Sequence, residues 1–159
     1  MNLHHLWQWS YDSKTIDILR NSHHAIPLIQ AFHLFGITLL LGAMVILNFR
    51  MLGIGMQQIA LAVLAKQVWS WGTVGLLLAV ASGLLVFIPD PARYAANYSF
   101  LAKMGLLLVA TVFQYTLYRK AVRAEAAAAN PQHHYGIAIL SLCLWFGVAW
   151  AGRGIAFLG

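Results

Sequence analysis

The stretch AIPLIQAFHLFGITLLLGAMVILNF, residues 25–49, carries no charged side chain in twenty-five positions. A helix needs about 20 predominantly apolar residues to cross roughly 30 Å of hydrocarbon, so this run reads as a membrane span. Three more runs follow at 68–88, 99–118 and 135–158. The second has no charge, the third only Lys103 and the fourth only Arg153. The breaks between them are chemically sensible. Pro89-Asp90-Pro91 stops the second run, because proline removes a backbone donor and restricts the residue before it. Asn130-Pro131 ends an alanine-rich helical extension of the third. The connection 51–67 is itself largely apolar (Ile59, Leu61, Val63, Leu64) and is expected to continue as a helix along the interface. The fold class expected is an all-α integral membrane protein: a four-transmembrane-helix bundle with an amphipathic N-terminal segment, forming a single membrane domain over 1–159.

Composition agrees. Of 159 residues, 61% are hydrophobic and 9% charged, with a mean hydropathy of +0.73; a water-soluble domain carries about 25% charged residues. The net charge of +6 sits in short runs flanking the apolar stretches, as topology determinants do. No basic groove with interleaved aromatics is present, so nucleic acid is excluded as a partner. The single cysteine, Cys143, excludes an intrachain disulfide and any multi-cysteine metal site.

Residues 1–24 do not form a signal peptide, since Asp12, Lys14, Asp17 and Arg20 interrupt any apolar core. Trp7, Trp9 and Tyr11 beside those charges suit a segment lying in the headgroup layer; a floppy tail is the other reading. Lysine and arginine set the orientation. Arg50, Lys66, Arg119, Lys120 and Arg123 flank the first and third connections, while Lys14, Arg20, Arg93 and all three aspartates lie on the other side. The bias places both termini outside the cytoplasm, in the periplasm of a bacterial inner membrane.

Polar groups inside hydrocarbon are costly, so they mark function or specific pairing. The candidates are Gln30 and His33 in the first span, Lys103 and Gln114 in the third, and Arg153 in the fourth, with Asn48 and Arg50 closing the inner end of the first. At 1.5 Å per residue, His33 lies about 12–14 Å from the outer end of its helix, and Lys103 and Arg153 about 6–8 Å from theirs. These three can meet in the outer leaflet below Arg93 and Asp90. The cationic cavity that results calls for an anionic occupant. Each also has a plain structural reading. His33 can hydrogen-bond a neighbouring helix, with Gln30 one turn earlier on the same face. Lys103 and Arg153 can snorkel to the headgroups. The adjacent pairs His4-His5, His23-His24 and His133-His134 read as solvated interfacial histidines, because neighbours on a helix point about 100° apart. Gly72, Gly75, Ala79 and Gly83 read as close helix packing.

The run from His33 through Gly36 and Gly42 to NFRMLG (48–53), then Ser82-Gly83, YSFLAKM (98–104) and Trp150-Ala-Gly-Arg153, resembles an uncharacterised bacterial family of small four-helix membrane proteins over nearly the whole chain. That family typically has Asp-Leu-Arg where this chain has Asn48-Phe49-Arg50. More distantly the chain is similar to the haem-containing protoporphyrinogen oxidases of bacteria and to the membrane domain of copper-resistance D proteins. In the oxidases a first-helix histidine and a third-helix lysine form the functional pair, and His33 and Lys103 occupy matching places.

The resemblance implies a small membrane redox protein that binds haem b or a porphyrin. His33 would be the axial metal ligand, Lys103 the catalytic group, Arg153 or Arg93 a propionate partner, and Gln30 a neighbour of the cofactor. A sixth ligand would come from Lys103, Met104, Met44, an N-terminal histidine, or nothing. Expected partners are the lipid bilayer and, open at this point, a quinone or porphyrin substrate, a redox partner or a second copy of the chain. The other readings are a non-catalytic accessory or structural subunit, and copper handling. For copper the methionines and histidines are scattered, with no cluster at metal-ligand spacing. No serine, histidine and carboxylate arrangement suggests a hydrolase.

Overall fold

A computed structural model describes Ile16, Ser22 and residues 24–127 and 135–158. Its elements in chain order are α1 (Ala25–Met51), α2 (Leu61–Phe87), the short α3 (Pro91–Ala95), α4 (Tyr98–Phe113), a π-helical turn (Gln114–Tyr118), α5 (Arg119–Ala127) and α6 (Tyr135–Leu158). α4 runs through the π turn into α5 without a break. Four stretches are long and apolar enough to cross a membrane: Ala25–Met51, Leu61–Phe87, Tyr98–Ala124 and Tyr135–Gly154. The chain is a multi-pass membrane protein built as a helical bundle. The 27-residue spans are about 40 Å long, more than the roughly 30 Å of hydrocarbon, so they tilt or protrude.

The bundle has two ends. At the proximal end α1 and α4 begin while α2 and α6 finish; the distal end is the reverse. Local chemistry explains the breaks at the proximal end. Asp90 caps α3, accepting from the Arg93 N–H at 3.4 Å, with proline in its first turn. Asn97 then caps α4, its Oδ1 accepting from the Ser99 N–H at 2.8 Å and the Phe100 N–H at 3.3 Å. At the start of α1, the Ser22 hydroxyl accepts from the Ala25 N–H at 3.2 Å. Apart from Ser22, His24 and Ile16, the last of them buried, the amphipathic segment expected over 1–24 lies outside the described residues.

The connection 51–67 departs from the expected interfacial helix. α1 ends at Met51 and residues 52–60 form a loop, with Gly53 and Gly55 at φ +72° and +75°. Those are left-handed values that side chains resist and glycine takes freely. Arg50 ties the loop back by donating from Nε to the Ile59 carbonyl at 3.0 Å. Leu61, Leu64 and Ala65 then belong to α2, which starts seven residues before Val68, and they bury against Tyr118, Ala121 and Val122. Their apolar character serves this distal core.

Lipid tails are as apolar as leucine, so helices in a bilayer associate by close packing and hydrogen bonds more than by expulsion of water. α1 and α2 use the first device. A Cβ built on Gly36 would lie 2.7 Å from the Ala79 nitrogen, and one on Gly75 would lie 2.6 Å from the Leu40 nitrogen. The two backbones therefore touch where they cross. α4 pairs with α6, and α1 also packs on α6, through a core that includes Leu40, Met44, Ala110, Trp145 and Val148.

Candidate functional site

His33 lies half-buried on α1 where that helix meets the proximal part of α2. Its Nδ1 is 3.1 Å from the Ser82 hydroxyl oxygen, and its Cε1 would be 3.1 Å from a Cβ on Gly83. The absence of a side chain at Gly83 leaves room for the imidazole to pack closely against α2. Ser82 is buried, and its hydroxyl donates back along its own helix to the Leu78 carbonyl, with Ala79 as a weaker second acceptor at 3.3 Å. A hydroxyl has one hydrogen. With it spent on α2, Ser82 offers His33 only a lone pair, so His33 must donate from Nδ1. That tautomer leaves Nε2 with a lone pair, the form in which imidazole binds metal.

Lys103 lies half-buried on α4, and its stem runs over the glycine gap in α6. Its Cε and Nζ would sit 3.5 and 3.6 Å from a Cβ on Gly152. Lys103 lies near the start of α4 and His33 near the start of α1, so both sit towards the proximal end. The Lys103 ammonium has no hydrogen-bond or ion-pair partner among the described residues. Two unrelated helix pairs, α1–α2 and α4–α6, thus present a histidine and a lysine to the same part of the bundle. Aromatic rings close the proximal end beside them. Phe87 of α2 stacks on Phe100 of α4 with centroids 5.4 Å apart, and Tyr94 of α3 packs on both rings at 6.1 and 5.8 Å. Phe100 precedes Lys103 by three residues and so shares its side of α4.

The other expected site residues lie further out. Gln30, Arg93 and Arg153 are exposed on the surface of the bundle, and Met104 is 44% exposed. Met44 lies eleven residues beyond His33 on α1, about 16 Å along the axis, with its Cε against Gly72. It is too far away to serve as sixth ligand to an iron held by His33. Among the described residues no three His, Cys, Asp or Glu side chains gather as a metal site. A metal held by protein side chains alone is therefore not supported there.

A second polar group occupies the distal half. Asn48, Gln114 and Ser141 are at most 2% exposed, as is Trp145. The Asn48 Nδ2 donates to the Met44 carbonyl at 2.8 Å and to the Ser141 hydroxyl at 3.1 Å. Ser141 donates in turn to Gln114 Oε1 at 3.4 Å, and the Trp145 indole N–H donates to the same oxygen at 3.3 Å. This chain joins α1, α6 and the π turn. Asn48 and Gln114 are legible as polar residues within apolar sequence. Ser82, Ser141 and Trp145 are not singled out by composition, because serine and tryptophan are ordinary in membrane helices. Only their partners across the bundle give them roles.

Residues 20–158 match the model of a family of unknown function, DUF6644. No curated protein and no solved structure matches the chain.

Proposed function

The chain belongs to the DUF6644 family, and from that premise we propose that it is a small bacterial membrane redox protein that binds haem b, or a related porphyrin, between its two helix pairs. The family lends no activity, so the residues carry the reading. The main support is the His33–Ser82 pair, whose geometry leaves a lone pair on Nε2 of an imidazole half-buried in an apolar bundle. The donor set fits the group. A b haem needs an axial nitrogen, apolar and aromatic surroundings for a flat ring, and cations for its propionates. His33, the Phe87–Tyr94–Phe100 cluster and Lys103 are of those kinds. The distant resemblance to haem-containing protoporphyrinogen oxidases points the same way.

A bound haem supplies a one-electron couple. Around it, His33 binds through Nε2 and Ser82 holds the ring in one tautomer. Lys103 sets a positive charge against a carboxylate of the cofactor or of a porphyrin substrate, at a depth where water does not screen it. The aromatic cluster limits access of water from the proximal end. Arg93 and Arg153, exposed near that end, suit carboxylates reaching the headgroup layer and remain the outer cationic candidates. Electrons would come from a quinol or a redox partner in the inner membrane.

The test is the absorption spectrum of protein purified after haem-replete expression. A Soret band and a b-type pyridine haemochrome are expected, since no Cys-x-x-Cys-His motif is present for covalent attachment. His33→Ala should remove the haem or change its spin state. Lys103→Ala should keep haem bound if the lysine serves carboxylates, and shift the spectrum if it is axial. Colourless protein would instead favour a non-catalytic accessory subunit, with His33→Ala then less stable than the parent. One observation supports that second reading: the His33–Ser82 bond is also an ordinary interhelical hydrogen bond.

A further inference from the structure

We propose that the distal half of the bundle binds one internal water molecule, held between the Gln114 amide and the Tyr115 hydroxyl. The directions of the neighbouring hydrogen bonds lead there. An indole N–H can only donate, so the Trp145 contact at 3.3 Å fixes the oxygen of the Gln114 amide on the Trp145 side. Ser141 donates to that oxygen too. The amide nitrogen must face the other way. It is fully buried and has no partner among the described residues. In hydrocarbon no bulk solvent can supply one.

Gln114 lines a small cavity together with Thr73, Tyr115, Trp145 and Met44, with a volume of about 10 Å³. One water needs roughly 10–15 Å³ measured in this way, and two to four polar partners. The second partner follows from Thr73. Its hydroxyl donates to the Trp69 carbonyl at 2.9 Å, so its contact with Tyr115 at 3.0 Å must be a bond donated by the tyrosine. The Tyr115 oxygen keeps its lone pairs as acceptors. Gln114, with its unpartnered N–H donor, and Tyr115, with acceptor lone pairs, both line the cavity, and a water complements such a pair by accepting from one and donating to the other. An anion would find no cation among these lining residues, and an apolar guest would leave the amide unpaired. Gln114 and Tyr115 open the π-helical turn, and such turns recur where helices carry functional groups.

The site is independent of any haem, and its test reads water directly. Oxygen-17 magnetic relaxation dispersion on the detergent-solubilised protein counts waters that stay longer than the molecule takes to tumble. Tyr115→Phe removes the acceptor, and the long-lived population should fall by one water relative to the parent. If that variant does not fold, Gly72→Ala reads the same site by sterics. Its new Cβ would lie 2.9 Å from the flexible Met44 Cε, and both residues line the cavity, so the added methyl takes up room there and the same one-water loss is expected. An unchanged long-lived population in the folded variant would overturn the proposal and leave the cavity dry.

Discussion

His33 of α1 and Ser82 of α2 are held 3.1 Å apart, just proximal to the point where Gly36 and Gly75 let the two backbones touch. The close crossing and the hydrogen bond are one construction. The glycines bring the helices together, Gly83 clears room for the ring, and Ser82 dictates which ring nitrogen carries the proton. Partners that orient a metal-binding histidine are typically worth 10–100-fold in affinity.

Ser82→Ala removes that orientation without touching the proposed ligand. Haem titrated into the purified apoprotein and followed at the Soret band should bind about 10–100-fold more weakly than in the parent. Parent-like affinity in Ser82→Ala would mean that the hydroxyl packs α2 and does not position His33.

The glycine crossing makes a prediction about stability. Gly75→Ala places a methyl group 2.6 Å from the Leu40 nitrogen, so the helices must separate, at a cost of about 1–3 kcal/mol by comparison with overpacked cores. Gly42→Ala is the control, because nothing lies within 4 Å of its Cβ. Relief of glycine's backbone entropy should make that variant neutral or stabilised by up to about 1 kcal/mol. In mixed micelles Gly75→Ala should therefore unfold more readily than the parent and Gly42→Ala should not, and equal behaviour would contradict the backbone contact.

Much of this was legible in the sequence and some was not, for physical reasons. The four spans are visible because a bilayer demands long uncharged runs, and Pro89 and Pro91 mark one break unmistakably. The helix α2 begins at Leu61, before the apolar run that starts at Val68, and the sequence does not mark that start because Leu61 and Leu64 are apolar whether they face lipid headgroups or the Tyr118–Val122 core. His33 and Lys103 stood out as polar residues in hydrocarbon, and depth alone suggested that they could meet. Depth could not say which way Arg153 points, since residues at one level lie on different faces of a helix. Gln30 shares a face with His33 in sequence yet sits a turn nearer the proximal end and is exposed. Ser82 enters the sequence reading only as part of the Ser82-Gly83 pair, because its role lies in the direction of a hydroxyl hydrogen, which no spacing encodes.

The distal polar chain should be energetically coupled. Asn48→Ala and Ser141→Ala, made singly and together, form a double-mutant cycle for the 3.1 Å bond between α1 and α6. Interhelical hydrogen bonds in membranes average about 0.6 kcal/mol and reach about 1.7. The full burial of both groups argues for the upper part of that range. A coupling near zero would show that the two side chains find equally good partners when separated.

Orientation is the remaining expectation that a direct measurement can decide. The distal end carries Arg50, Lys66, Arg119, Lys120 and Arg123, against Arg93 at the proximal end with Lys14 and Arg20 before the first span. An excess of lysine and arginine stays in the cytoplasm, which directs the distal end inwards and the His33–Lys103 site towards the periplasm. Cys143 is exposed on the bundle, so it is first replaced by alanine. Single cysteines are then placed at Arg93 and Arg123, both exposed at opposite ends. A membrane-impermeant maleimide added to intact spheroplasts should label Arg93→Cys and spare Arg123→Cys until the cells are lysed. Reversed labelling would put His33 and Lys103 on the cytoplasmic side of the bundle instead.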